Sequence, residues 1–480
     1  MPGTEPSRPP AGGSDFLQLR AAEAPAKGLT GWLTDGLRSA IMAGRLAPGA
    51  RLPATRLLAA ELGVSRGVVV QAYQRLTDEG LADARTGSGT VVVQDAAVPP
   101  RPAADRRRTL HELRLPLSTP DGIDLNLSPG VPDLAAFPRA AWLRAERAVL
   151  DRVTSADLGY GDPGGAPRLR AGLVAWLART RGVRADADDV LVCGGVAQGQ
   201  TLLAQVLRAR GEAAVAVEDP GSRGTRDQLA HWGVRTEPVP VDESGLLIGP
   251  LHATGLNTVL LTPAHQFPTG VVLAPERRRD LLAWAAGEHR LVLEDDYDAE
   301  HRYDRAPVAA MQGSAPERVA YLGSVSKSLA PGMRLGWLIA PRGMQAELLA
   351  AKHASDLGSS ALPQLVLAEL LASGDYERHL RTVRTRQRAR RDALLAGLRA
   401  HLPQARVRGV AAGLHLLVEL PAGTDDVAFA DRVRETGVLA HPLSWHRLLP
   451  GPPGLILGYA AHSPDRLTEA AHRIGRALRT

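Results

Sequence analysis

Apolar positions in the first hundred residues fall into three helical groups. Leu33, Leu37 and Ile41 share one face and predict a helix that stops at Gly44 and the Pro48-Gly49 pair. A second helix is expected from about Thr55 to Leu62, ended by Gly63. A third follows Ser65, whose hydroxyl can cap it, and stacks Val69, Tyr73 and Leu76 on its inner side. Two short strands close the segment, with Arg85 ahead of a Gly87-Ser88-Gly89 turn. Helix, glycine-containing turn and capped helix are the parts of a helix-turn-helix, whose second helix enters the major groove by its N-terminal residues. Those residues are Ser65, Arg66 and Gly67, and the hairpin would be a wing lying on backbone or minor groove.

After Ile123 the pattern changes to short apolar runs, each followed by a polar loop and a helical stretch, as in a βαβ sheet. Five runs end in loops with unusual polar groups: VLVCGGVAQGQ, AVAVEDPGS, TVLLTPAHQFPTG, RLVLEDDYDAEHRY and VAYLGSVSKSLAPGMRLGW. In open parallel sheets ligands bind at such strand ends, so the runs point to one site. Between the two patterned regions lies a segment with five prolines and the cluster Arg106-Arg107-Arg108, read as a linker able to touch DNA phosphates. The expected organisation is a loose tail over 1–28, a small domain over 29–93, a linker over 94–122 and a large domain over 123–480. No internal repeat of fixed period is visible.

Composition narrows the classes. At 480 residues, 44 % apolar and 22 % charged, the chain can bury proper cores and is not disordered overall. It holds no long uninterrupted apolar stretch and its first residues lack a signal-peptide pattern, which predicts a cytoplasmic protein without a membrane partner. The single cysteine, Cys193, excludes an intrachain disulfide and a cysteine-rich zinc site, and reads as a small buried residue; no metal site is expected. A net charge of +6 permits nucleic-acid binding. Within 29–93 seven arginines face only five acidic groups, so placement and dimerisation must supply affinity. Only three lysines, Lys27, Lys327 and Lys352, stand against 54 arginines. A lysine can form a Schiff base and an arginine cannot, which singles these three out.

The segment LPATRLLAAELGVSRGVVVQAYQRL resembles the winged-helix DNA-binding domain of the GntR family. The resemblance implies that Arg56 and Arg66 contact DNA, with Ser65 on a phosphate and Arg85 and Gly87 at the wing. Two threonines common after the recognition arginine are Gly67 and Val68 here, which leaves the base preference open. The later runs, with GYGDPGGAPRLRAGLVAWL, resemble the fold-type-I aminotransferase domain over about residues 120–480. TPAHQFPTG and SVSKSLAPGMRLGW resemble the MocR branch of GntR regulators, in which an aminotransferase-like domain follows a winged helix. The fold class is therefore an α+β winged helix-turn-helix followed by an α/β fold-type-I aminotransferase-like domain of large and small lobes that binds pyridoxal 5'-phosphate.

By that resemblance Lys327 is the Schiff-base lysine, and Ser324, Ser326 and Arg334 sit on one loop able to hold a phosphate. The turn Gly194-Gly195-Val196-Ala197-Gln198 opens a helix whose free N–H groups favour an anion. Asp295 would keep the ring nitrogen protonated, Tyr297 would hydrogen-bond the ring's phenolic oxygen, and His265 and Gln266 would line the ring. Three positions depart from the enzymes. Phe267 replaces the asparagine before Pro-Thr-Gly, Ser222 stands where an aromatic often stacks, and Ile456 occupies the place of the arginine for a substrate α-carboxylate. Arg447, His441 or His446 are the candidates to replace that arginine. The reading is a homodimeric transcriptional regulator of promoter DNA, with a linker that lets each winged helix pack on the partner subunit. Its small-molecule effector is pyridoxal phosphate itself, as in regulators of vitamin B6 synthesis, or an amine or amino acid that forms an imine with it; the lost arginine favours the cofactor. An active aminotransferase carrying a vestigial DNA-binding domain, and a cofactor reservoir or scaffold, are the alternatives.

Overall fold

The computed structural model describes residues 24, 28–85, 89–93, 122–298, 300–303, 308–409 and 411–479. Contacts divide the chain into two units, Met1–Leu117 and Ser118–Thr480. The expectations for Gly87 and for Arg106-Arg107-Arg108 fall outside the described residues.

In the first unit α1 (Leu29–Met42), α2 (Thr55–Glu61) and α3 (Arg66–Asp78) are followed by the antiparallel pair β1 (Ala82–Arg85) and β2 (Gly89–Val92), in register Ala82 to Val92. Leu33, Leu37, Leu58, Val69 and Leu76 have no exposed surface. Each such side chain contributes about 1.5–3 kcal/mol by burial, which is why the periodic apolar positions specify this core. Ser65 caps α3 by accepting from the N–H of Val68, and the Tyr73 hydroxyl donates to the Pro53 carbonyl at 2.8 Å, tying α3 to the segment ahead of α2.

The second unit opens with β3 (Leu125–Asn126), α4 (Arg139–Leu150) and α5 (Pro167–Arg181). Strands and helices then alternate through β4 (Val190–Cys193), α6 (Val196–Ala209), β5 (Ala214–Asp219), α7 (Arg223–His231), β6 (Arg235–Asp242), β7 (Gly245–Leu246), α8 (Ile248–Ala253), β8 (Thr258–Leu261), α9 (Pro275–Ala285), β9 (Leu291–Asp295), β10 (Val319–Ser324) and β11 (Gly336–Ile339). These strands form one eight-stranded sheet in the order β4-β11-β10-β9-β8-β5-β6-β7. The neighbours from β10 to β6 run parallel. Strand β11 runs antiparallel to both its neighbours, because a short loop after β10 returns it directly, where the apolar pattern alone predicts a helical crossover. Strands β4, β8, β10 and β11 are buried at every residue, as a sheet covered on both faces requires.

Helices α10 (Arg342–Asp356), α11 (Ala361–Ala372) and α12 (Asp375–His401) lead to a smaller lobe of β12 (Arg406–Arg408), β13 (His415–Glu419), α13 (Asp426–Glu435), β14 (Val438–Leu439), β15 (His441–Pro442), β16 (Gly454–Gly458) and α14 (Pro464–Arg479). Its antiparallel sheet has the order β12-β13-β16-β15. Leu416, Val418, Leu455 and Leu457 of that sheet share a core with Leu394, Phe429, Leu467 and Ile474 of the three helices. No helix among the described residues is long and apolar enough to cross a membrane.

Candidate cofactor site and nucleic-acid interface

The register of the central sheet assembles the site. Asp295 ends β9 opposite Leu322 of β10, and Lys327 follows β10 directly, so carboxylate and amine share the strand ends. Lys327 Nζ donates to the Gly130 carbonyl at 2.7 Å. Gly130 has φ +80°, and a Cβ there would fall 3.1 Å from that nitrogen; conformation and close approach both call for glycine. Burial pulls the Lys327 amine below the usual lysine range, opposed by Asp298 and Asp295. Lys352 differs: it is fully buried, with Asp356 carboxylate oxygens at 2.7 Å and Ser359 Oγ at 3.0 Å. Lys27 lies outside the described residues.

Asp295 has one satisfied and one open oxygen. Gln200 Nε2 donates to Oδ2 at 3.1 Å, while Oδ1 is buried without a partner. Burial, with the charges of Asp296 and Asp298, pushes this carboxyl up to about 7. A buried acceptor left open beside a lysine suits a ligand N–H, and a pyridinium nitrogen is such a donor. The same shift has a stability consequence. Between pH 4 and about 7 the folded chain keeps a proton that the unfolded chain has lost, so this group's contribution to stability falls as pH rises. Asp295→Asn is therefore expected to raise the urea midpoint of ligand-free protein at pH 8, with the difference vanishing near pH 4. An equal midpoint at pH 8 would show that the carboxyl carries no burial cost.

An anion cradle lies on the next loops. The N-cap of α6, Gly195, has φ +87° and no side-chain cap, so the Val196 and Ala197 N–H groups of the first turn lack intrahelical acceptors. A Cβ at Gly195 would lie 3.4 Å from Arg334 Nη1 and 3.7 Å from Ser326 Oγ, which places guanidinium and hydroxyl at the same helix end. The Arg334 guanidinium has no hydrogen-bond or ion-pair partner among the described residues. Ser324 plays another part: its buried hydroxyl accepts from the Ser326 N–H at 3.3 Å and holds the turn. A cavity of about 530 Å³ borders the cradle, lined by Gly194, Ala197, Gln198, Arg334 and Asp356. Gln198 spans it, accepting from the Gly194 N–H at 2.6 Å and donating to Asp356 at 2.8 Å.

His265, expected to line the ring, has its Nδ1 2.9 Å from Asp298 Oδ2 and 3.2 Å from the Tyr297 hydroxyl. Gln266, by contrast, ties its own loop to the one after β5, accepting from Thr269 and donating to the Pro220 carbonyl. Ligand atoms of His265, Asp298 and His415 lie within 4.8 Å of one another, a spacing that a metal could use. Hydrogen bonds already occupy the group, since His415 Nε2 also lies 3.2 Å from the Pro268 carbonyl.

Two of the departures from the enzymes meet in space. Phe267 packs against a cluster of Leu417, Leu443 and Ile456, so a matched apolar pair fills the place of two polar residues. Two of the three candidate replacements are neutral. Burial pushes His441 down to about 4 and His446 to about 3, keeping both neutral. Arg447 feels the charges of Asp219, Asp426 and Glu419, and its Nε is buried without a hydrogen-bond partner among the described residues.

In the first unit Arg56 on α2 and Ser65, Arg66 and Gly67 at the start of α3 are all exposed. Arg66 Nε makes only a 3.4 Å contact to Thr55 Oγ1, so its guanidinium is free to meet another partner. Arg85 ends β1 at the wing. The residues that sequence reasoning missed are Gln200, Gly130, Asp298 as a partner of His265, and His415. Gln200 alone left a signal, as a polar residue on the inner face of a helix.

Residues 32–92 match the model of bacterial regulatory proteins of the gntR family, and residues 123–474 match that of aminotransferase class I and II. The HTH-type pyridoxine biosynthesis transcriptional regulator PdxR of Corynebacterium glutamicum is 34 % identical over 93 % of this chain and 95 % of its own length. The probable rhizopine catabolism regulatory protein MocR of Rhizobium meliloti is 31 % identical over 93 % of each chain. Among solved structures, the Pyrococcus horikoshii kynurenine aminotransferase superposes with a TM-score of 0.69 at 25 % identity, covering 79 % of this chain and 95 % of that one.

Proposed function

The chain belongs to the MocR-type gntR-family regulators, in which a DNA-binding domain precedes an aminotransferase class I and II domain, and from that premise we propose that this DNA-binding transcriptional regulator senses pyridoxal phosphate itself. The observation that carries the choice of effector is the packing of Phe267 against the apolar cluster that contains Ile456. A charge-assisted, bidentate grip on an α-carboxylate needs a guanidinium, and an apolar cluster at that place repels the charge instead.

Lys327 would hold the cofactor covalently, Asp295 Oδ1 would accept from its ring nitrogen, and Gly195, Val196, Ala197, Ser326 and Arg334 would hold its phosphate. Tyr297 would donate to its phenolic oxygen, and His265 would flank the ring. The bound group supplies an aldehyde that condenses reversibly with amines. For the protein to act as a switch, the ligand must bind two arrangements of a homodimer with different affinity, and those arrangements must present the winged helices differently to a promoter.

The test is fluorescence anisotropy on a duplex selected from random sequence by the full-length protein, at fixed salt. Pyridoxal phosphate is expected to change DNA affinity by about tenfold or more, in the usual range of coupling energies, and α-amino acids to add nothing to the loaded protein. A response to an amino acid with none to the cofactor would overturn the choice of effector.

A further inference from the structure

We propose that Asp298 is a positioning residue that acts through His265 on Tyr297: it commits the His265 Nδ1 proton to itself, so that His265 does not capture the Tyr297 hydroxyl, which stays available to the phenolic oxygen of bound pyridoxal phosphate. This rests on the cofactor reading above.

The geometry sets a competition. One nitrogen, His265 Nδ1, stands within reach of two oxygens, Asp298 Oδ2 at 2.9 Å and Tyr297 Oη at 3.2 Å. An ionised carboxylate only accepts, so Nδ1 must carry a proton and give it to Asp298. A protonated Nδ1 has no lone pair for the Tyr297 proton, so His265 cannot capture the hydroxyl; Asp298 is also within its hydrogen-bonding reach, and is the acceptor that a ring oxygen would replace. If the carboxylate were absent, Nδ1 could lose its proton and accept from Tyr297, removing that donor from the ring.

The surroundings hold Asp298 to this task. Its carboxylate is buried, which works against ionisation, yet the imidazoles of His265, His415 on β13 and His301 hold it below the usual carboxylate range. Burial together with the charges of Asp298, Asp295 and Glu218 on β5 keeps the Tyr297 phenol protonated. Lys327, after β10, faces Asp298 and Asp295 from the remaining side. Gly413 locks the ring in place: its φ is +74°, and a Cβ there would fall 2.5 Å from His265 Nδ1 and 2.7 Å from Asp298 Oδ2. Phe267 stands in place of an amide and brings no donor of its own, so the tautomer of one histidine bears directly on how the phenolic oxygen is hydrogen-bonded.

The test is a double-mutant cycle read by absorbance. Full-length parent, Tyr297→Phe, Asp298→Asn and the double variant are loaded with pyridoxal phosphate, and the protonation of the chromophore formed with Lys327 is titrated against pH. In the parent background Tyr297→Phe is expected to raise the chromophore's proton affinity about tenfold, and in the Asp298→Asn background less than about threefold, because the hydroxyl there has already turned away. Equal shifts in both backgrounds would overturn the proposal. A parent that forms no chromophore at saturating cofactor would instead overturn the cofactor reading, so the two failures are distinct. Where Asp298→Asn does not load, nitrogen-15 spectra of histidine-labelled loaded protein, assigned with His265→Gln, decide the matter. A protonated Nδ1 on neutral His265 supports the proposal, and an Nε2–H tautomer overturns it.

Discussion

Lys327→Ala is expected to abolish the absorbance band near roughly 420 nm that pyridoxal phosphate gives with the parent protein, and with it the response of DNA binding to the cofactor. The effect should be complete because no other lysine among the described residues can take over. Lys352 is enclosed and held by Asp356 and Ser359. Arginine at position 327 would fail equally, since a guanidinium does not condense with an aldehyde. Basal DNA affinity should survive, as Lys327 lies in the second unit and the recognition helix in the first. A difference spectrum and an anisotropy titration on the same two preparations check both halves. A persisting band would assign the chromophore to another amine.

Arg66→Ala is expected to weaken binding to the selected duplex by about 1–3 kcal/mol, roughly 5- to 150-fold, and to relax preference at one base position. The residue opens α3, is exposed, and is spared from any ion pair among the described residues. Its removal should leave stability unchanged within about 0.5 kcal/mol, as for other surface changes. Anisotropy at two salt concentrations separates base contact from phosphate contact. A phosphate-only role would lower affinity evenly across sequences and reduce the salt slope by about one. Unchanged affinity would remove Arg66 from the interface.

Much of this was legible in the sequence, for reasons that differ between the two units. The winged helix is encoded locally: periodic leucines, a glycine stop and a serine cap place α2 and α3 within a residue, because each signal acts inside its own helix. The sheet strands were legible as apolar runs, since strands buried on both faces need no alternation. The reversed direction of β11 was not, because strand direction is set by the length of the returning loop and by the partners already in place. Site residues divide the same way. Lys327, Asp295, Tyr297 and Arg334 stand in motifs that follow strands. Gln200, Gly130 and His415 come to the site from α6, from the segment ahead of α4 and from the smaller lobe, and of the three only Gln200, polar on an inner helix face, announces a tertiary partner in its own neighbourhood. Phe267 and Ile456 were each legible as departures; that they touch one cluster was not, since β16 reaches the loop after β8 only in the folded chain.

Cys193, the chain's one cysteine, sits wholly inside β4, where burial pushes its thiol up to about 12. A thiol so placed offers almost no thiolate at neutral pH, and thiolate is the form that reacts. The natural chain is thus already a silent background for maleimide chemistry. New cysteines at exposed Gln74 of α3 and exposed Arg388 of α12 would take up a dye pair without removal of the native residue. Energy transfer between them then becomes a ruler from recognition helix to effector domain, read while ligand is added.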